Sequence, residues 1–235
     1  MKKNLNIWIV PIIMIGLFMI LQIGCKKSSS SSSTQPSNAG PDVTDVDGNV
    51  YHSVVIGTQT WMASNLKVTK YRNGTAIPNV SDSAQWVALT TGAYCVYNND
   101  PTMVSTYGLL YNWYAAGDSV NILAPQGWHV PTDAEWTTLT TYLGASAGGK
   151  LKETGTKHWD SPNSGATDAT NFTALPGADR SYTGVFHNMG IYGFWWTSSY
   201  SGINGIDRIM TDASANVFSI NYPMDIGFSV RCVKD

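Results

Sequence analysis

Pro125-Gln-Gly-Trp-His-Val-Pro-Thr-Asp-Ala-Glu-Trp136 is the stretch from which the rest of the chain is read. Gly127 and Pro131 interrupt any element arriving from upstream. Thr132 is then placed as an N-cap, its hydroxyl accepting from a backbone N–H near Glu135 while the Glu135 carboxylate reaches back, which is a capping box. Behind it Trp136, Leu139 and Leu143 recur at helical spacing, and Gly144 is positioned to end the helix in a left-handed conformation. The stretch predicts one short amphipathic helix that buries one large aromatic ring.

Upstream of this helix, Asp47-Gly48 reads as a turn feeding a strand over 50–56, and Gly57-Thr58-Gln59 turns the chain back through Trp61 and Met62. Asp45 to Asn49 begins like a calcium loop but lacks the downstream glutamate that such a loop requires. Ser81 or Asp82 can cap a short helix carrying Trp86 and Leu89, residues 94–97 read as a strand, and 107–117 place Leu109, Leu110, Trp113 and Tyr114 at helical spacing, as core. Downstream, 148–169 is rich in Gly, Ser, Thr, Asn and Asp and reads as a long variable loop. Short strands are then expected at 172–175, 192–197, 206–210, 217–220 and 228–233. Few helices and many short strands make an α+β domain over 42–235, and no repeat period suggests a solenoid.

At the other end of the chain, Lys2 and Lys3 precede an apolar run from Ile7 to Ile23 that stops at Gly24-Cys25. This pattern is a secretory leader over 1–24, with a retained membrane helix as its competitor. Leu21-Gln22-Ile23-Gly24-Cys25 resembles a bacterial lipobox in the relaxed form common among the Bacteroidetes, Gln22 standing where Leu is usual. It makes Cys25 the lipid anchor. Residues 25–41, with their serine run from Ser28 to Ser33, read as a flexible tether. Lys26 and Lys27 follow the anchor where surface-exported lipoproteins often carry acids, which favours the periplasmic face of the outer membrane over the cell surface.

The chain has 14 cationic and 16 acidic residues, and loss of Lys2 and Lys3 with the leader leaves 12 against 16. A mildly acidic domain has no electrostatic reason to bind nucleic acid. Beyond Cys25 the only thiols are Cys95 and Cys232. In an oxidising compartment a single pair is most simply a disulfide, worth at most roughly 5 kcal/mol for so long a loop, and two buried free thiols are the alternative. His52, His129, His158 and His187 lack the short spacings of a zinc site, so no metal and no cofactor is expected.

Three stretches in this order, Gly57-Thr-Gln-Thr-Trp-Met-Ala-Ser-Asn-Leu66, Gly127-Trp-His-Val-Pro-Thr-Asp-Ala-Glu-Trp136 and Gly227-Phe-Ser-Val-Arg-Cys-Val-Lys234, resemble the Fibrobacter succinogenes major paralogous domain. The second and third are more distantly similar to the formylglycine-generating enzymes. That resemblance implies a C-type lectin-like fold whose two ends meet in one sheet, with short twisted antiparallel sheets, few helices and long loops. It also implies an exported, often lipid-anchored module of the bacterial envelope. The close cysteine pair by which formylglycine-generating enzymes hold copper and substrate is missing, so their activity is not expected. The Glu-Pro-Asn and Gln-Pro-Asp motifs of calcium-dependent sugar binding are missing too.

The function expected is therefore a binding or interaction module for a glycan or an envelope protein, the alternative a structural subunit of an outer-membrane complex, and an enzyme is not expected. Sugar-binding faces use exposed aromatic rings beside carboxylates and amides, so Trp159, Asp160, Trp195, Trp196 and Tyr200 are the candidate ligand residues, within loops running from Gly148 to Tyr200. Strand alternation makes one of Trp195 and Trp196 a core residue.

Overall fold

A computed structural model describes residues 37–235. The expected leader over 1–24, the expected anchor Cys25 and the serine run lie outside the described residues. The expected end of the tether at Pro41 is corrected by the backbone. Asn38 Nδ2 donates to the carbonyls of Val55 and Thr170, Ala39 bridges Val54, and the Gly40 N–H donates to Ser53 O, so the domain takes hold of the chain from Asn38. Among the described residues no helix is long and apolar enough to cross a membrane.

β1 (Val43–Thr44) and β2 (Val50–Tyr51) form a small hairpin. Its turn is the expected one, organised by Asp45, whose carboxylate accepts from the N–H groups of Asp47 and Asn49, from the Asn49 side chain and from the Tyr51 hydroxyl. β3 (Ser53–Ile56) and β4 (Gln59–Met62) follow as a second hairpin with a two-residue turn, Gly57 supplying the positive φ of 63° that such turns demand. α1 (Ser83–Val87) is capped by Asp82 and buries Trp86.

β5 (Tyr94–Cys95) is shorter than expected, and the segment at 107–117 is not one helix. It divides into the end of α2 (Val104–Tyr107), β6 (Leu110–Tyr111) and α3 (Trp113–Ala116). Gly108 has φ 76° and passes so close to Leu66 O that an added Cβ would lie 2.6 Å from it. The helix therefore stops there, β6 pairs with β5, and Asn112 caps a fresh helix by accepting from the Ala115 N–H.

β7 (Trp128–His129) leads into α4 (Asp133–Leu143), where the capping box is complete. Thr132 Oγ1 accepts from the Glu135 N–H at 3.2 Å, and the Glu135 carboxylate accepts from the Thr132 N–H at 2.7 Å. Gly144 does end this helix with the expected positive φ of 68°, yet its ψ of −149° lies outside the left-handed helical well, in a region that glycine alone adopts readily. α5 (Ala147–Leu151), β8 (Asp179–Arg180) and β9 (Phe186–His187) precede three long strands, β10 (Tyr192–Ser201), β11 (Asn204–Thr211) and β12 (Phe218–Pro223), and the chain closes with β13 (Val233–Lys234). The strands expected at 172–175 and 228–233 are mostly single bridges, such as Lys152 to Ala174 and Trp195 to Ser229.

The order β3-β4-β13-β7 brings the β3–β4 hairpin and the last strand into one antiparallel sheet, while β10-β11-β12 form a second. The fold is α+β, with few helices and several small antiparallel sheets. Trp61, Trp136, Phe172 and Trp195 make one ring cluster, with Trp61 and Trp136 centroids 4.9 Å apart. Phe194, Trp196 and Phe228 make another, with Phe194 and Phe228 stacked at 4.6 Å.

Backbone that is neither helix nor sheet must still satisfy its carbonyls when buried. Buried cations do this here. Lys152 Nζ donates to Ser164, Thr211 and Ser214 carbonyls, and burial lowers its pKa to about 8. Arg180 donates to Gly184, Val80 and Ser81 carbonyls and stacks on Trp86. Arg231 reaches the Phe172 and Thr173 carbonyls and Asn65 Oδ1, stacked on Phe172, and burial lowers its pKa to about 9. Each ties an irregular segment to the core through charge-assisted bonds.

The expected Cys95–Cys232 disulfide is absent, and both cysteines are free and buried. Cys95 belongs to the small cluster around Trp86 and Leu110, Cys232 to the larger one around Trp196 and Phe228. Separate clusters hold the two sulfurs in different parts of the interior, where a disulfide would need its Cα atoms within about 7 Å. Burial pushes the Cys95 thiol up to about 12 and the Cys232 thiol higher, which leaves both protonated and inert.

Candidate functional site

Four of the five expected ligand residues are not where a ligand could use them together. Trp159 is 1% exposed, inside the Trp61–Trp136 cluster, its indole N–H donating to Ala174 O at 2.9 Å with Lys152 over its ring. Trp195 and Trp196 are both buried rather than one of the two, because each face of β10 has its own core. The Trp195 N–H donates to Asn65 Oδ1 and the Trp196 N–H to Tyr111 O. Asp160 is exposed, but it lies against Gly190, where its backbone N–H bonds the carbonyl. The loop after α5 is likewise fastened inward, Asn163 Nδ2 donating to Glu153 and Gly155 carbonyls.

Tyr200 is the exception. It is 64% exposed at the end of β10, and its ring stands edge-on to Trp113 at 5.6 Å. Trp113 is in turn the one tryptophan among the described residues that is not buried. Its indole N–H is satisfied by Thr197 O at 3.0 Å, and its ring lies between Gly117 and Gly205, where added Cβ atoms would fall 2.4 and 2.3 Å from it. The two glycines form a slot that fixes the indole while leaving part of it facing solvent. Tyr200 and Trp113 line a cleft of about 370 Å³ with Ile122 and Val130 as apolar floor and Asp118, Ser119, His129 and Ser198 around it.

His129 carries the local electrostatics. Nε2 lies 2.7 Å from Glu135 Oε1 and Nδ1 2.7 Å from Asp235 Oδ1, so both nitrogens face carboxylates and the ring is an imidazolium. Burial opposes that charge, but the bonds to Asp235 and Glu135 outweigh it and raise the His129 pKa. Burial likewise works against the Glu135 carboxylate, and the Thr132 N–H with His129 outweighs it, lowering the Glu135 pKa. Asp118 is kept ionised in the same manner, its burial outweighed by the Asn121 and Val120 N–H groups. With both ring nitrogens held by carboxylates, His129 of β7 clamps that strand to α4 and to Asp235.

A wider groove of about 650 Å³ runs between the β3–β4 turn and α4, lined by Thr58, Gln59, Thr137, Thr138, Thr141 and Tyr142 among others. It contains no charged group, and the Thr137 and Thr138 hydroxyls are already spent on carbonyls one turn back. The smaller cleft has the better chemistry for a ligand, combining two aromatic rings with ionised and hydroxyl groups. The sequence reading took Trp113 as core from its helical spacing. Gly117, four residues on and one turn above the ring, was the signal of a side chain given room rather than packed.

Among the described residues no group of three or more His, Cys, Asp or Glu side chains is gathered as a metal site. No curated protein and no solved structure matches the chain. The family described as the Fibrobacter succinogenes major domain matches residues 54–234, from β3 to the last strand, and takes in every residue of the cleft. The chain therefore belongs to the Fibrobacter succinogenes major domain family.

Proposed function

We propose that this protein is an exported binding module of the bacterial cell envelope, lipid-anchored through Cys25 at the outer membrane and facing the periplasm, which holds the end of a glycan in the Trp113–Tyr200 cleft. The observation that carries the reading is Tyr200, an aromatic ring kept in solvent at 64% exposure and braced edge-on by Trp113. A pyranose has an apolar face that stacks on such a ring and hydroxyls that seek the ionised Asp118 and the Ser119 and Ser198 hydroxyls around it. A cleft of this size takes one or two sugar rings, not a globular partner. A C-type lectin-like arrangement is part of the proposal, supported by the meeting of β4 and β13 at the two ends of the domain. No catalytic step is included, since His129 is committed to its two carboxylates.

The test is a glycan array probed with the mature chain, followed by titration of any bound sugar. Tyr200→Ala should weaken capture about tenfold or more, the worth of an aromatic stack, while unfolding free energy stays within about 0.5 kcal/mol of wild type. An array without hits, or hits indifferent to Tyr200→Ala, would sink the glycan reading and leave the structural subunit as the better account.

A further inference from the structure

The sheet edges of this domain are treated unequally. The outer edge of β3 is covered by the incoming chain, with Ala39 bridged to Val54 and backbone bonds joining Asn38 to Val55 and Gly40 to Ser53. The outer edge of β10 is covered by bridges from Ala178 to Gly193 and from Trp195 to Ser229. β7, at the far side of the first sheet, is only two residues long. β12 is different: six residues, paired to β11 on one side, and among the described residues no other strand or loop pairs with its second side.

Proteins guard such an edge with charged residues, bulges, proline or a cover, because its unpaired N–H and C=O groups are a template for another strand. β12 has almost none of these. From Ala213 to Met224 there is no charged residue, and the one proline, Pro223, stands at the end of the strand. Phe218 and Ile220 are 42% and 45% exposed, apolar side chains left in water along the bare edge.

We propose that β12 is the self-association edge of this protein, pairing antiparallel with β12 of a second copy to join two three-stranded sheets into one of six. The strand is self-complementary about Ile220. A two-fold axis there sets Ile220 against Ile220, Phe218 against Tyr222 and Ser219 against Asn221, so that apolar meets apolar, polar meets polar, and no like charges are opposed. A shift of one residue would oppose aromatic and polar side chains, and Pro223 limits extension at one end. The second copy is favoured over an unrelated partner by this match of the strand with its own reverse.

The experiment uses the mature full-length chain in detergent. Wild type should sediment as a dimer at micromolar concentration, and Ile220→Lys should weaken the dimer by about tenfold or more, through a like-charge pair on the axis, with the thermal midpoint unchanged. Ile220→Cys should form an intermolecular disulfide under mild oxidation, whereas Val120→Cys, more exposed at 82% against 45% and far from β12 in sequence, should not. The native Cys95 and Cys232 are buried and do not compete. A monomeric wild type, or equal cross-linking of both cysteine variants, overturns the proposal. So does a monomer in which the Ile220→Cys thiol is shielded from a soluble reagent, for that places a segment of the same chain on the edge.

Discussion

Residue by residue, the ring chemistry of this domain divides by burial. Trp159 and Tyr200 were equivalent in sequence, an aromatic in a polar surrounding, yet one fills the core and the other stands in water. Trp159→Ala should therefore cost about 3–5 kcal/mol of folding stability, as truncating a buried aromatic does, measured by denaturant unfolding against wild type. The Trp136 cluster beside it gives the same expectation for its own members. A Trp159→Ala chain as stable as wild type would contradict its place among Trp61, Trp136 and Phe172. Sequence showed that a ring was present at each position, but its degree of exposure depends on which segments fold over it, and those come from distant parts of the chain.

Among the elements, α4 and its approach were the most legible, because a capping box is a local contract between Thr132 and Glu135 three residues apart. What the local pattern did not contain is the second use of Glu135, whose other oxygen holds His129 of β7, itself held by Asp235 beyond β13. This joint has a pH signature. His129 has a raised pKa when folded, so its contribution is fully present below its ordinary 6.5 and is lost as pH rises through the folded value. Glu135 has a lowered one, so its contribution is present above its ordinary 4.5 and is lost as pH falls through the folded value. Both act fully between those limits. The stability difference between wild type and His129→Gln should be largest near pH 5.5 to 6 and shrink on the alkaline side, as read from thermal midpoints across about pH 5 to 9. A difference that does not vary with pH would mean that the imidazolium clamp contributes nothing. The helix expected over 107–117 was misread for the opposite reason: its apolar spacing was right, but Gly108 and Asn112 cut it where Leu66 and β5 approach from elsewhere.

For the whole molecule, the question is what holds long irregular segments in place without a disulfide. Lys152, Arg180 and Arg231 supply the cross-links by hydrogen bonds to loop carbonyls, and the two cysteines are ordinary core residues in separate clusters. Reducing agent should accordingly leave the thermal midpoint unchanged, and Cys95 and Cys232 should resist a thiol reagent in the native state and titrate as two free thiols once the chain is unfolded. A drop in midpoint on reduction, or fewer than two such thiols, would restore the bridge.

The sequence alone determined what depends on near neighbours: the capped helix, the Asp47-Gly48 and Gly57-Thr58 turns, the α+β class and, through three ordered motifs, the family. These are settled by hydrogen bonds and backbone sterics within a few residues. Tertiary structure alone decided which aromatic rings see water, that Trp113 and Tyr200 meet 87 positions apart, that Cys95 and Cys232 do not meet, and that β12 is left with a bare edge. Each of these depends on burial, and burial is a property of the assembled chain, created only when segments remote in sequence exclude water from one another.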